Sequence, residues 1–274
     1  VILSLGQTSV AQTIPHIAPS AKPYKLGIFP YLPARQLEGL FSPIAALFGE
    51  ELDREVQFKS SLSYEIFMEN LRTREYDVAF VQPFDYVTIA RPAGYVPLAS
   101  PDKPLSAIII VRSDSPIASL DDLRGKVLAL PPKVAAVSHM IKSHLNKNGL
   151  VPGRDVSVLH RKSFSSCMHH VLIDEADACG TALPALRFFT EKMKTKMKII
   201  DSTATIPSAV FVVHKDIPDA HREKLLSVIV GFSETRTGQT LLEKGKLQRF
   251  RPISDQEYDI VREFEKYNIQ SRSH

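Results

Sequence analysis

No stretch of this chain approaches the roughly 18 to 20 consecutive apolar residues that a membrane-spanning helix needs, which excludes an integral helical membrane protein. Cysteine is scarce. Two in 274 residues rule out a disulfide scaffold and any four-cysteine zinc site, and leave room for one bridge. An excess of either charge is also missing: Lys plus Arg number 34 against 30 Asp plus Glu, and Lys192, Lys194, Lys196 and Lys198 form the only dense basic patch. So thin and dispersed a surplus argues against nucleic acid as a partner. The sequence contains no glycine-rich phosphate loop, no His-Glu-x-x-His and no Gly-x-Ser-x-Gly, nor any fixed-period repeat or low-complexity segment.

What is present is ordinary globular composition, 44% apolar and 23% charged. A chain of this length buries roughly 70 to 75% of its unfolded surface, enough for one large or two ordinary domains without staples. Residues 1–21 differ from the rest in carrying no Asp, Glu, Lys or Arg. Val1 to Leu5 read as the tail of a hydrophobic segment, and Ser9-Val10-Ala11 places small residues at minus three and minus one of a cut after Ala11. This stretch is therefore expected to be a signal-peptide remnant and disordered lead-in, Pro-rich from Ile14 to Pro23. The alternative is a disordered cytoplasmic terminus, since no basic region precedes it.

From Lys25 onward short apolar strands alternate with amphipathic helices. Strands are expected at Leu26–Phe29, Val56–Phe58, Val78–Val81, Val96–Ala99 and Ala107–Val111, with helices at Leu37–Phe48 and Tyr64–Leu71 between the first three. A second series follows Ser113: a capped helix over Ser119–Lys126, strand Val127–Leu130, helix Val134–Lys147, strand Val156–Leu159, helix Ser166–Ile173, then strands Ala176–Gly180 and Met197–Asp201. Ala209–Val213 reads as a last strand, followed only by helices near Asp219–Val230, Thr237–Lys244 and Asp255–Tyr267. Strand, helix, strand in succession is the pattern of a mainly parallel sheet flanked by helices, so the fold class is α/β in two units.

Ligands of open α/β sheets bind at the carboxyl ends of the strands. The residues there are Pro30-Tyr31, Ser60-Ser61, Gln82-Pro83-Phe84-Asp85-Tyr86, Pro131-Pro132-Lys133, Phe164-Ser165-Ser166 and Thr181. Aromatic, hydroxyl-bearing and nearly uncharged, the set suits binding better than catalysis.

Gly27-Ile28-Phe29-Pro30-Tyr31, Tyr64 to Asp77, Gln82-Pro83-Phe84-Asp85-Tyr86, Ser115 to Lys126 and Glu175-Ala176-Asp177-Ala178 together resemble the phosphate/phosphonate-type periplasmic substrate-binding proteins of ABC importers. The resemblance covers about residues 25 to 215, and its strength lies in the ordered series. It implies a two-lobed type II binding protein that closes on a small molecule about two crossover strands near Ile110 and Val210. Lobe one is then 22–113 plus 207–274 and lobe two 114–206. It further implies a periplasmic monomer that serves a membrane permease, without catalysis, metal or cofactor. Tyrosines of the first lobe contact ligand in this family, which points to Tyr31, Tyr64 and Tyr86, with Gln82 and Phe84 beside them; core packing is the competing reading, stronger for Phe84 than for the tyrosines, whose hydroxyls need a partner or water. Asp85 reads as a cap for a helix beginning at Tyr86. His139, His144, His160 and His214 read as solvated.

The departures from the family pattern concern the second lobe. Where phosphonate binders follow a Pro with Asn-Ser-Thr-Ser-Gly, whose hydroxyls and helix-terminal N–H groups hold the anion, this chain follows Pro132 with Lys133-Val134-Ala135-Ala136-Val137. Where they open the next helix with Ser-His-Asp, it has Ser163-Phe164-Ser165. Three or four lost donors at roughly 1.5 to 3 kcal/mol each amount to about 5 to 10 kcal/mol, or several decades of affinity. Lys133 restores part of the positive charge. The expected site is Tyr31, Tyr64, Gln82, Phe84, Tyr86, Lys133, Val134, Ala135, Ala136, Phe164, Ser165, Ser166 and Thr181, altered toward a less charged or more apolar ligand. An unaltered phosphate/phosphonate binder is the alternative.

Within this frame Cys167 and Cys179 face one sheet edge, as a disulfide, as two buried thiols, or as a soft-ligand or reactive site. Adjacent helix positions diverge, so Cys167-Met168-His169-His170 is not a chelating spacing. Two other roles stay open: a ligand sensor for a two-component system, against which the polar ending Gln270 to His274 argues, and an enzyme with a Cys nucleophile, for which no base is evident.

Overall fold

The computed structural model describes residues 22–31, 34–245 and 247–270; the expected leader over 1–21 lies outside them. The first sheet is built from β1 (Tyr24–Ile28), β2 (Val56–Lys59), β3 (Val78–Val81) and β4 (Tyr95–Pro101), linked by α1 (Ala34–Leu52), α2 (Tyr64–Arg72) and α3 (Pro83–Asp85), which runs on as a π turn over Tyr86–Ala90. The second comprises β5 (Ile108–Arg112), β6 (Val127–Leu130), β7 (Ser157–His160), β8 (Ala178–Thr181) and β9 (Met197–Ser202), with α4 (Ala136–Lys147), α5 (Phe164–Leu172) and α6 (Leu183–Met193). The chain then returns through β10 (Val210–His214), α7 (Asp219–Gly231), α8 (Arg236–Gly245), β11 (Phe250–Pro252) and α9 (Asp259–Gln270).

The two sheets repeat one plan. In the first, β2, β1 and β3 run parallel and β10 inserts antiparallel beside β3, with β4 and β11 beyond it. In the second, β7, β6 and β8 run parallel and β5 inserts antiparallel beside β8, with β9 beyond. Each antiparallel insertion is the first strand laid down after the chain crosses from the other sheet. The two crossings touch where Leu105 and Ile206 exchange backbone hydrogen bonds, each 2.8 Å. Local details repeat as well. Asp77 accepts from the Lys25 N–H and Asp177 from the Val127 N–H, both at 2.8 Å, pinning the start of the parallel pairs.

The alternating apolar residues of the strands account for the layers. Leu37, Leu40, Phe41, Ile44 and Phe48 recur at helical spacing and seat α1 against Ile28, Phe80 and Phe211. The opposite face of the first sheet, through Ala79, Val81, Val210 and Val212, joins a core that continues through Ala107 and Ile206 into Ile109, Leu128 and Leu130 of the second. Gly180 lets α4 lie close on that sheet, for a Cβ there would stand 2.5 Å from Leu130 and 3.0 Å from Ile141.

Several expectations need correction. The chain does not end in helices alone, since β11 pairs with β4; three residues, one of them Pro252, are too short for a periodicity signal. The Ser119–Lys126 helix shrinks to a 3-10 turn at Asp121–Leu123, and Ser119 does not cap it: its N–H and hydroxyl donate to the Asp122 carboxylate. α4 starts at Ala136, two residues late, because Ala135 adopts extended backbone. The C-terminal α9 packs on α4 of the second sheet.

Candidate functional site

α2, α4 and α5 all begin at the carboxyl edges of their sheets, but only two of them cap themselves. Ser63 accepts from the Ile66 N–H at the start of α2, and Ser163 from the Ser166 N–H at the start of α5. α4 has Ala135 at this place and no side chain to offer. Its first N–H, on Ala136, instead donates to Gln82 Oε1 (3.1 Å), a residue of the other sheet that follows β3. Gln82 Nε2 in turn donates to the Val134 carbonyl (3.1 Å) and to the Tyr64 hydroxyl (2.8 Å). The Tyr64 hydroxyl in turn donates to Asp85 Oδ2.

This chain of contacts gathers Tyr64, Gln82, Val134 and Ala136, all expected in the site, across the interface between the sheets. Asp85 caps nothing; it is buried beneath Tyr64. Burial raises its pKa to about 6, against the lowering effect of the Tyr64 hydrogen bond and of nearby His139, while Glu265 pushes it further up. Burial, together with the Asp85 charge, raises the Tyr64 pKa as well. Phe84 stacks on His139 of α4, centroids 4.9 Å apart, and His139 faces Glu265 of α9 at 3.4 Å.

The remaining expected residues scatter. Tyr86 is fully buried, its hydroxyl donating to Asp255 (2.5 Å) and its ring edge-on to Tyr258, so it faces the C-terminal segment. Lys133 and Val134 stand exposed at the rim, and Ala135 is half-buried. Phe164 is half-buried and packs on both the continuous core and the cluster beneath α5. Ser165 and Ser166 line a shallow groove with His169 and Phe188 between α5 and α6. Thr181 is wholly buried and its hydroxyl has no partner. Cys167 and Cys179 are joined as a disulfide within the second lobe's core. The four histidines are not solvated: His139 and His144 pair with Glu265 and Asp201, the half-buried His160 with the Pro131 carbonyl, and His214 is buried.

Sequence reasoning missed a larger space on the hinge side. A cavity of about 810 Å³ opens between Phe29, Tyr31 and Phe80 of the first sheet, the start of α6 in the second, and both crossings. The Tyr31 hydroxyl is buried there without a partner, and burial raises its pKa. α6 itself went unread, although Pro184 in its first turn is a helix-start signal. Among the described residues no group of three or more His, Cys, Asp or Glu is placed to hold a metal ion, and no helix is long and apolar enough to cross a membrane.

Residues 26–258 match the family described as ABC transporter, phosphonate, periplasmic substrate-binding protein. Among solved structures, XAC2383 from Xanthomonas citri bound to ATP is similar at 19% identity, with 93% of this chain and 99% of that one covered and a TM-score of 0.78. PhnD1 from Prochlorococcus marinus in complex with methylphosphonate is 17% identical over 89% of this chain and 97% of its own, TM-score 0.73. A binding-protein component of an ABC phosphonate transporter from Pseudomonas aeruginosa (PA3383) is 15% identical over 92% and 88%, TM-score 0.72. At these identities the structural likeness establishes the two-lobed type II binding fold.

Proposed function

This chain belongs to the ABC-transporter phosphonate periplasmic substrate-binding family, whose members pass a small molecule to a membrane permease, and from that premise we propose a ligand class for it. Its cleft takes a ligand with less charge density than phosphate or methylphosphonate and with an apolar part.

The observation that carries this reading is the state of the α4 N-terminus. A helix start is a ready anion site when its N–H groups are free and hydroxyls flank them. Here the flanking side chains are Val134, Ala135, Ala136 and Val137, and the Ala136 N–H already donates to the neutral amide of Gln82. A compact dianion entering this place would lose its hydration, displace Gln82, and find no hydroxyl or histidine among these four residues in return, while the Tyr64 hydroxyl beside Gln82 already donates to Asp85. Phe164, at the first position of α5, adds apolar surface where a donor would be needed. The similar Xanthomonas citri fold holds ATP, an anion joined to a flat base, so the architecture accommodates ligands well beyond a phosphonate in size.

In this reading β1 to β4 with β10 and β11 form one lobe and β5 to β9 the other, and the hinge runs through the paired crossings at Leu105 and Ile206, just before β5 and β10. The protein works in the periplasm as a monomer. Native mass spectrometry of protein recovered from its own periplasm tests the assignment. One small organic molecule per chain, with an apolar moiety, is the expected result; chains carrying inorganic phosphate would refute the ligand class, and uniformly bare chains would refute the binding role.

A further inference from the structure

The cavity on the hinge side has a chemistry of its own. Its rim carries Lys103 on the first crossing, Arg187 on α6 and Lys244 on α8, and among the described residues no Asp or Glu lines it. None of the three cations has an ion-pair partner among the described residues, whereas most other arginines of the chain do. Deeper in, the walls are aromatic: the rings of Phe29 and Tyr31 lie 4.9 Å apart and those of Phe29 and Phe80 5.6 Å. Two buried polar atoms lack partners there, the Tyr31 hydroxyl and Gln248 Oε1. A buried hydroxyl and amide oxygen without partners cost free energy, which a bound molecule relieves where opening of the cleft brings it to them. Three like charges lining one cleft raise the local concentration of anions.

We propose, building on the substrate-binding reading above, that this cavity is the ligand site and that it takes an organic anion with a planar apolar body. The anion sits at Lys103, Arg187 and Lys244, and the body lies against Phe29 and Tyr31. Its volume of about 810 Å³ falls within the usual range of small-molecule sites and leaves a bare phosphonate head group largely surrounded by water. Since the three cations belong to one lobe, the other lobe and the hinge, an anion bound among them neutralises a repulsion that opposes closure. The proposal separates two jobs: Gln82 blocks compact anions at α4, and the hinge-side cations recruit larger ones.

The test titrates phenylphosphonate and methylphosphonate, which share a head group and differ in the apolar body, against the purified chain by calorimetry. Phenylphosphonate is expected to bind saturably, about tenfold or more tighter than methylphosphonate, and to weaken by about tenfold or more in the Lys103→Glu, Arg187→Glu double variant. Both substitutions lie on the surface, and an unchanged circular dichroism spectrum confirms folding. Tyr31→Phe is expected to weaken binding severalfold. Phenylphosphonate binding that ignores the charge reversal but is lost in Val134→Asp would overturn the cavity assignment and leave the substrate-binding reading intact. Absence of saturable phenylphosphonate binding up to about 1 mM would overturn the inference as well. The substrate-binding reading itself fails by a different readout, the bare chains of native mass spectrometry.

Discussion

Removal of the Gln82 amide is the most informative single perturbation. Two of its hydrogen bonds cross between the lobes, to Val134 O and from the Ala136 N–H, both at 3.1 Å, and a third holds Tyr64 at 2.8 Å. Each cross-lobe bond contributes a net stabilisation of about 0.5 to 1.5 kcal/mol, because its groups return to water when the cleft opens. Gln82→Ala therefore shifts the equilibrium between closed and open ligand-free forms by about 1 to 3 kcal/mol, or about 5- to 150-fold. The stability of each lobe is little affected, for the amide is half-buried at the interface and not in either core. Small-angle scattering without ligand reads the shift as a larger radius of gyration in the variant. A second effect accompanies it: the freed Ala136 N–H and the helix dipole raise the affinity for methylphosphonate, by at most about 2 kcal/mol. Superposable ligand-free scattering curves for wild type and variant would refute the reasoning, since they would mean that Gln82 does not hold the lobes together in solution.

Other outcomes follow from the same structure. The Cys167–Cys179 bridge closes a loop of sequence separation 12, so its reduction, or a Cys167→Ala, Cys179→Ala pair, should lower stability by about 3 kcal/mol in urea titrations; equal midpoints with and without reductant would contradict this. Asp85 has a folded pKa of about 6 against 3.8 unfolded, so the native state holds its proton more tightly and stability falls as pH rises through that window. Asp85→Asn removes the penalty: thermal unfolding should show the variant more stable by about 3 kcal/mol above pH 6 and no different near pH 3, and a variant less stable at pH 7 would show that the ionised carboxylate is favourable here. Ligand binding should reduce the radius of gyration by rotation about the Leu105–Ile206 crossings, and an unchanged radius at saturation would exclude a hinge mechanism.

Most of the fold is legible because its elements are amphipathic and strongly periodic. Leu37 to Phe48 announce α1 despite Pro43 within it, and the runs at Val78–Val81, Ile108–Val111 and Val210–Val213 announce buried strands. What stays hidden is short or depends on partners distant in sequence. β11 exists because β4 offers an unpaired edge, and nothing in three residues signals it. α5 and its Ser163 cap are visible in the pattern, yet the cap of α4 is not, since it arrives from Gln82, 54 residues away. The aromatic positions divide for the same reason. Tyr64 and Tyr86 look alike in sequence as residues at a sheet edge, but Asp255, far down the chain, captures Tyr86. Tyr31 is correctly placed at a strand end; that it opens onto a cavity depends on α6, α8 and both crossings meeting there.

Calorimetry with methylphosphonate decides whether the α4 terminus is turned away from compact anions, as proposed. The wild-type chain is compared with a variant carrying Val134→Ser, Ala135→Thr, Ala136→Ser, Val137→Gly and Phe164→His. Three or four restored donors at about 1.5 to 3 kcal/mol each outweigh the helix dipole alone, worth about 0.3 to 2 kcal/mol. Weak or undetectable binding by the wild type, with affinity gained by several decades in the variant, is the predicted result. Submicromolar methylphosphonate binding by the wild type would contradict it and return this chain to the ordinary phosphonate binders.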